Sequence, residues 1–117
     1  MLARVAQAFY WTARELERAD FHALALQVSH ASSLEQSSAN GSSGGFGTGS
    51  WEPLLELSVD LDDFRRTHRA ADERTVSWFL SGGPGNPNSI TACVTRARES
   101  ARSARDRLPT ELWESIN

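Results

Sequence analysis

The chain contains 117 residues, which is enough for one domain with a single modest hydrophobic core and excludes two independent domains. Its 12 basic residues are all arginine, and 15 acidic residues outnumber them, so the net charge is -3. Binding to nucleic-acid phosphates requires a basic surface, and the acidic total therefore argues against a nucleic-acid partner. Cys93 is the single cysteine, which excludes an intrachain disulfide, and no Cys/His spacing typical of a metal site occurs.

The first long helix is predicted over residues 2–30, because no glycine or proline interrupts this stretch. The residues that recur at helical spacing on its main apolar face are Leu2, Val5, Phe9, Ala13, Leu16 and Ala23. A second apolar set on the other side of the helix consists of Tyr10, Trp11, Phe21 and Val28. A helix with apolar groups on both sides packs against neighbours on both sides. Because the chain provides too little cover for Tyr10, Trp11 and Phe21, we expect an exposed apolar patch, self-association, or dependence on a missing C-terminal part.

Charged and polar side chains also interrupt the apolar runs of this first helix. A signal-peptide core and a membrane span both need an unbroken apolar run, so the sequence predicts neither. We expect a cytoplasmic protein without a membrane partner.

The next segment, residues 31–50, is rich in glycine and serine and is predicted to be a flexible loop. Its glycines do not resemble a phosphate-binding loop, because no Lys-Ser or Lys-Thr pair follows them and no strand pattern precedes them. The sequence therefore predicts no nucleotide or other cofactor.

Two shorter helices are predicted over residues 51–58 and 73–81. Ser50 is the expected N-cap of the first, and Pro53 lies in its first turn, where a helix tolerates proline.

The last long helix is predicted over residues 87–108, with Asn86 as its N-cap and Pro87 at the first helical position. The apolar stripe of this helix consists of Ile90, Val94, Ala97, Ala101, Ala104 and Leu108. Alanines in such a stripe allow a neighbouring helix to approach closely. Since no alternating strand pattern occurs, the predicted fold is all-α: an antiparallel helical bundle, either incomplete or a short version of a larger helical domain.

Two parts of the sequence carry a recognisable signature. The positions that match near the start of the chain are Met1 to Ala6, Tyr10, Trp11, Arg14, Glu17, Arg18 and Ala19. The positions that match near the other end are Asn86, Pro87, Ser89, Ile90, Ala97, Arg98, Glu99, Ala101, Arg102, Leu112, Trp113 and Asn117. Together they resemble the alpha-E domain family, bacterial all-helical proteins with a Glu-Arg motif in the first helix. The resemblance spans nearly the whole chain as one domain, residues 1–117, and corresponds to the N-terminal part of longer family members.

The resemblance implies a function only indirectly. Alpha-E proteins are associated with ATP-grasp proteins of a circularly permuted type and with transglutaminase-like proteins. This association implies a non-catalytic helical module that works with an ATP-grasp ligase in peptide or amide-bond formation or modification. We expect arginines to contribute charge-assisted contacts to such a partner, namely Arg18, Arg98 and Arg102.

Two clusters of charged residues are candidates for a structural or functional network: Arg14, Glu17 and Arg18 in the first helix, and Arg98, Glu99 and Arg102 in the last. They can be pairs within each helix, at spacings of three and four residues. They can also form an Arg-carboxylate site between the helices, because arginine offers two parallel donors to a carboxylate. In the alternative enzyme hypothesis, the arginines hold an anionic or peptide substrate and a glutamate transfers a proton. The sequence assigns no residue as catalytic.

The remaining chemically distinctive residues favour structural roles. Cys93 is interpreted as a small buried apolar residue rather than a nucleophile. The three histidines, His22, His30 and His68, lack the spacing of a metal or catalytic site. The four tryptophans are interpreted as core anchors: Trp11, Trp51, Trp78 and Trp113.

Overall fold

The computed structural model describes residues 2–39, 51–58 and 61–117. Within these ranges the chain forms six α-helices and one 3-10 turn and contains no strand, which confirms the all-α prediction. The helices are α1 (Leu2–Ala39), α2 (Glu52–Leu57), α3 (Leu61–Thr67), α4 (Glu73–Ser81), α5 (Ile90–Arg102) and α6 (Thr110–Ile116). None of the described helices is both long enough and apolar enough to cross a membrane.

Helix α1 is longer than predicted, because it continues to Ala39 instead of ending near residue 30. The predicted loop over residues 31–50 is therefore wrong for residues 31–39, while residues 40–50 lie outside the described part of the chain. The physical reason is compositional: the alanine, serine, leucine and glutamate after His30 are compatible with a helix, and the first glycine is Gly41. With 38 residues, the helix extends over roughly 57 Å.

The predicted start of the last long helix is also wrong. Helix α5 begins at Ile90, and Ser89 is its N-cap, since the Ser89 hydroxyl accepts a hydrogen bond from the Ala92 amide at 3.1 Å. Asn86 is instead buried in the turn that leads to the helix. Its Nδ2 donates to the Phe79 carbonyl at 2.8 Å, and its Oδ1 accepts from the backbone of Asn88 at 2.9 Å. Asn86 thereby fixes this turn to the end of α4.

At the other end, α5 stops at Arg102 rather than continuing to Leu108. The backbone tightens into a 3-10 turn over Arg105–Arg107, and Pro109 then forms the N-terminal boundary of α6.

Among the described helices, α1 and α5 form the most extensive contact. Arg18 of α1 reaches Asn88 just before α5, whereas Glu15, three residues earlier, reaches Arg96 inside α5. The two helices therefore run antiparallel. The buried residues of this seam are small or polar: Ala8, Thr12, Glu15, Ala19 and His22 from α1, and Cys93, Ala97, Ala101 and Ala104 from α5 and the residues after it.

The predicted main face of α1 is consequently not the one that packs on α5. Leu2 is 86% exposed and Phe9 is 38% exposed, although both belong to that predicted face. The alanines of α5 bring the two helices close together, and small side chains fit such a close interface better than large ones. The α5 stripe itself is largely as predicted, with Cys93 buried where Val94 was expected.

A separate hydrophobic core joins α2, α3 and α4 and packs against Ala25 and Leu26 of α1. Its buried members are Trp51, Leu54, Leu55, Phe64, Ala71, Val76, Phe79 and Leu80. Trp51 is the core anchor predicted for the tryptophans, whereas Trp11 and Trp78 are 43% and 58% exposed. Ser50, the predicted cap of α2, lies outside the described residues, and Trp51 occupies the N-cap position. Helix α4 matches the predicted range 73–81.

Candidate functional site

The most unusual group in the α1–α5 seam is the carboxylate of Glu15. It lies on the same helical stripe as Thr12 and Ala19, and its side chain is only 8% exposed. A charge in such a position requires a partner, because removal of a carboxylate from water is costly. Arg96 provides that partner, with 3.0 Å between its Nη2 and Oε2 of Glu15.

Arg96 is held by three groups at once. Its Nη1 donates to the carbonyl of Pro87, and its Nη2 donates to Glu15 and lies 3.5 Å from Sγ of Cys93. The hydrogen bond to Glu15 raises the pKa of the Arg96 guanidinium, although partial burial opposes this effect. The pair thus connects the middle of α1 to α5 and to the turn before it.

Burial by itself raises the pKa of Glu15, but the hydrogen bond and positive charge of Arg96, together with the charge of Arg18, outweigh it. The pKa of Glu15 is therefore lowered from its ordinary value of 4.5. Glu15 is ionised at neutral pH, and its negative charge is compensated inside the seam.

Cys93 lies beside this pair and is fully buried. Burial raises the pKa of its thiol above the ordinary value of 9.0, although the charge of Arg96 opposes the shift. The thiol is 3.7 Å from the carbonyl of Asn88, to which it donates. A neutral, buried thiol is a poor nucleophile, in agreement with a packing role.

Arg18 lies at the rim of the seam, and its side chain is 36% exposed. Its Nη1 is 3.9 Å from the Glu15 carboxylate and 3.4 Å from Oδ1 of Asn88, so both contacts are long. Beside it is a pocket of about 320 Å³ between α1, the end of α2 and the turn before α5. The described residues that line this pocket are Arg18, Phe21, His22, Leu57, Ser58 and Asn88.

The other predicted members of the first charged cluster lie elsewhere. Glu17 is exposed on the side of α1 that faces away from α5. Arg14 is also exposed; it donates to the hydroxyl of Tyr10 at 2.9 Å and lies over the rings of Tyr10 and Trp11 at 5.9 and 6.0 Å. The structure therefore does not bring Arg14 and Glu17 to the buried pair.

The cluster predicted on the last helix lies on the outer side of α5. Glu99 and Arg102 are three residues apart and form an exposed ion pair at 3.9 Å. This contact corresponds to the predicted alternative in which charged residues pair within one helix. Arg98 donates from Nε to Oδ1 of Asn117 at 2.9 Å. Glu17 and Glu99 lie on the outward sides of two packed helices, so the structure does not bring these two carboxylates together.

The remaining signature positions support the turn and the C-terminal segment. Ser89 caps α5 and Asn86 anchors the preceding turn, as described above. Pro87 contributes its carbonyl to Arg96. Near the other end, the Arg105 guanidinium lies 5.3 Å from the centre of the Trp113 ring.

The histidines are placed in three different surroundings. His22 is buried in the seam, His30 contacts Glu73 at 2.6 Å between Nδ1 and Oε1, and His68 stacks on Phe64 with 4.7 Å between ring centres. Across residues 2–39, 51–58 and 61–117, no three metal-binding side chains form a group suited to a metal ion.

Glu15 and Arg96, the two residues that form the buried pair, do not belong to the charged clusters predicted from the sequence. A signal for Glu15 existed in the regular spacing of Ala8, Thr12, Glu15, Ala19 and His22, which places them on one narrow stripe. A small-residue stripe opposite the alanines of α5 indicates close packing, and a carboxylate on it requires a basic partner.

The match to known families covers the whole chain. Residues 1–117 match Alpha-E, which is described as a predicted alpha-helical domain with a conserved ER motif. The chain belongs to the Alpha-E family. By the resemblance given above, the Glu-Arg pair of this Alpha-E chain is Glu17 and Arg18, of which Arg18 reaches the pocket and Glu17 is exposed. No curated protein and no solved structure matches the Alpha-E chain.

Proposed function

We propose that this Alpha-E chain is a non-catalytic helical module that works with an ATP-grasp ligase in peptide or amide-bond formation. The class of partner follows from the family resemblance. The observation that supports a docking function is an uncovered apolar face on α1, opposite α5.

This outer face of α1 is defined by Tyr10, Phe21, Leu24 and Val28. Their exposed fractions are 54%, 43%, 56% and 58%. Phe21, Leu24 and Val28 follow the i, i+3, i+7 spacing by which an apolar helix face contacts a groove or another helix. Tyr10 continues the same face three turns earlier. Completing the burial of these four side chains contributes roughly 1 kcal/mol each, enough to support a specific contact.

Two charged residues lie on or beside the outer face. Glu17 lies within the face, and Arg14 packs over Tyr10 and Trp11 at its edge. Aromatic side chains and arginine are enriched in protein–protein interfaces, and both types occur on or beside this face. Arg98 and Arg102, which lie on the outer side of α5, belong to a different surface and are a second candidate contact with the ligase.

The test is direct binding between this chain and an ATP-grasp ligase of the circularly permuted type, measured by calorimetry with purified components. We expect the wild-type chain to bind and Leu24→Glu to weaken binding at least tenfold. The matched control is Leu112→Glu, since Leu112 is 45% exposed on α6, away from the outer face. This control should bind as wild type does. Thermal melts of both variants establish that the fold is retained.

Two results contradict the proposal. One is the absence of binding by the wild-type chain, and the other is equal binding by Leu24→Glu and wild type. If the ligase does not bind but Leu24→Glu converts a wild-type dimer into a monomer in sedimentation velocity, the occupant of the outer face is a second copy of this chain. The ligase assignment is then wrong.

A further inference from the structure

The pocket beside Arg18 is large enough for a small ligand. Its volume of about 320 Å³ is at the lower end of the range for such sites. Three separate segments contribute to it: α1, the end of α2 and the turn before α5. Phe21 and Leu57 give it apolar surface, and Arg18, Ser58 and Asn88 add polar groups.

Among the described residues, Glu15, Arg96 and Arg18 together carry one positive charge in excess. Glu15 is compensated by Arg96 through the 3.0 Å hydrogen bond, whereas Arg18 is 3.9 Å from the same carboxylate oxygen. Two arginines thus share one carboxylate, and Arg96 holds it more closely. Among the described residues that line the pocket, none is acidic. The pocket therefore favours a ligand with one negative charge.

The guanidinium of Arg18 also has hydrogen-bonding capacity left. Both contacts, to Glu15 and to Asn88, use Nη1. Within the described part of the chain, its Nε and Nη2 donate no hydrogen bond. These two N–H groups point in parallel from one edge of the guanidinium, the arrangement that matches the two oxygens of a carboxylate.

Ser58 further restricts the kind of ligand that the pocket can bind. Its hydroxyl hydrogen is used by the helix, because Oγ lies 3.0 and 3.2 Å from the carbonyls of Leu54 and Leu55. Oγ therefore meets a ligand as an acceptor, which suits an N–H group. A carboxylate, a nearby N–H and an apolar side chain occur together in an amino-acid residue at the end of a peptide.

We propose that this pocket binds the carboxylate of an N-acylated amino acid or of a peptide C-terminus with an apolar side chain, through the Nε and Nη2 edge of Arg18. The proposal goes beyond the docking function, because its polar groups, Arg18, Ser58 and Asn88, line the pocket and do not belong to the outer face of α1. Phe21 borders both the pocket and the outer face.

The test is a titration of the isotope-labelled wild-type chain with N-acetyl-leucine, followed by amide chemical shifts. We expect saturable shifts at Arg18, Ser58 and Asn88. N-acetyl-leucinamide, which lacks the negative charge, should bind at least tenfold more weakly. A Gly-Leu dipeptide blocked at its amino end distinguishes a peptide C-terminus from a single residue, and tighter binding of the dipeptide assigns the peptide as the source.

The variant Arg18→Gln should lose at least tenfold in affinity for N-acetyl-leucine. Arg14→Gln is the matched control, one turn earlier on the exposed side of α1, and should bind as wild type does. If Arg18→Gln does not fold, the comparison of N-acetyl-leucine with N-acetyl-leucinamide as ligands of the wild-type chain still tests the proposal. Equal binding of the amide, an unaffected Arg18→Gln, shifts confined to other regions, or tighter binding of inorganic phosphate would each overturn the proposal.

Discussion

Removal of Arg96 should destabilise the protein more than neutralisation of Glu15, although both changes break the same ion pair. Arg96→Ala leaves a carboxylate that is 8% exposed without its close partner, whereas Glu15→Gln leaves a guanidinium that is 41% exposed and can be hydrated. An orphaned buried charge costs about 3 to 5 kcal/mol. Because Arg18 remains 3.9 Å away, we expect about 3 kcal/mol for Arg96→Ala. Glu15→Gln should cost about 1 kcal/mol, since the amide oxygen can still accept from Arg96.

The free energy of unfolding of each variant is measured by urea denaturation, followed by circular dichroism and tryptophan fluorescence. The double variant Glu15→Gln/Arg96→Ala should be more stable than Arg96→Ala alone, because it no longer contains the orphaned carboxylate. If Arg96→Ala costs no more than Glu15→Gln near neutral pH, or if the double variant is the least stable of the three, the argument from burial is refuted.

The pH dependence gives an independent check on the same pair. Since the pKa of Glu15 is lowered in the folded chain, its contribution to stability is fully present above its ordinary value of 4.5 and is lost as the pH falls through the lower folded value. In Arg96→Ala, burial should instead raise the pKa of Glu15, so mild acid neutralises the orphaned charge. The difference in stability between the two single variants should therefore narrow at about pH 4.

Three further changes test the local structure. Asp72→Ala should cost about 1 kcal/mol in the free energy of unfolding, because the carboxylate of Asp72 caps α4 by accepting from the Thr75 amide at 2.8 Å, and Asp72→Asn should restore most of it. Leu80→Ala should cost about 2 to 5 kcal/mol in urea denaturation, since Leu80 is fully buried in the hydrophobic core, and a smaller loss would indicate that the core collapses around the cavity. Asn86→Ala should lower the melting temperature through a loss of about 1 to 3 kcal/mol, because the buried Phe79 carbonyl loses its donor; an unchanged melt would show that water replaces it.

The sequence predicted the existence of the main helices better than the faces on which they pack. The glycine-free stretch from Leu2 and the alanine stripe of α5 follow from local chemistry alone, and both predictions are confirmed. The packing face of α1 does not follow from local chemistry, because the partner helix determines which face becomes buried. Close approach by α5 selects the stripe that contains Ala8 and Ala19 rather than the more apolar face that contains Leu2.

The candidate site was less predictable for the same reason. The side chain of Glu15 looks like an interruption of an apolar helix until the antiparallel alignment places Arg96 opposite it, and no local pattern encodes a contact between residues 81 positions apart. The start of α5 was also predicted wrongly, because of the turn before it. Asn86 followed by Pro87 is a pair typical of a helix start. In the structure, however, the side-chain amide of Asn86 donates to the carbonyl of Phe79, and the helix begins after Ser89.

Because Cys93 is buried, its reactivity reports the transient separation of α1 and α5. The thiol is inaccessible while α1 and α5 are in contact, so a thiol-reactive reagent can modify it only in molecules whose seam has opened. When reclosing is fast, the labelling rate equals the rate for an accessible thiol multiplied by the fraction of open molecules. An opening free energy of about 4 kcal/mol would slow labelling roughly a thousandfold, and a ligand or partner that clamps the seam would slow it further. One natural side chain thus reports the free energy of seam opening, which can be compared with the free energy of global unfolding, without a label introduced by mutation.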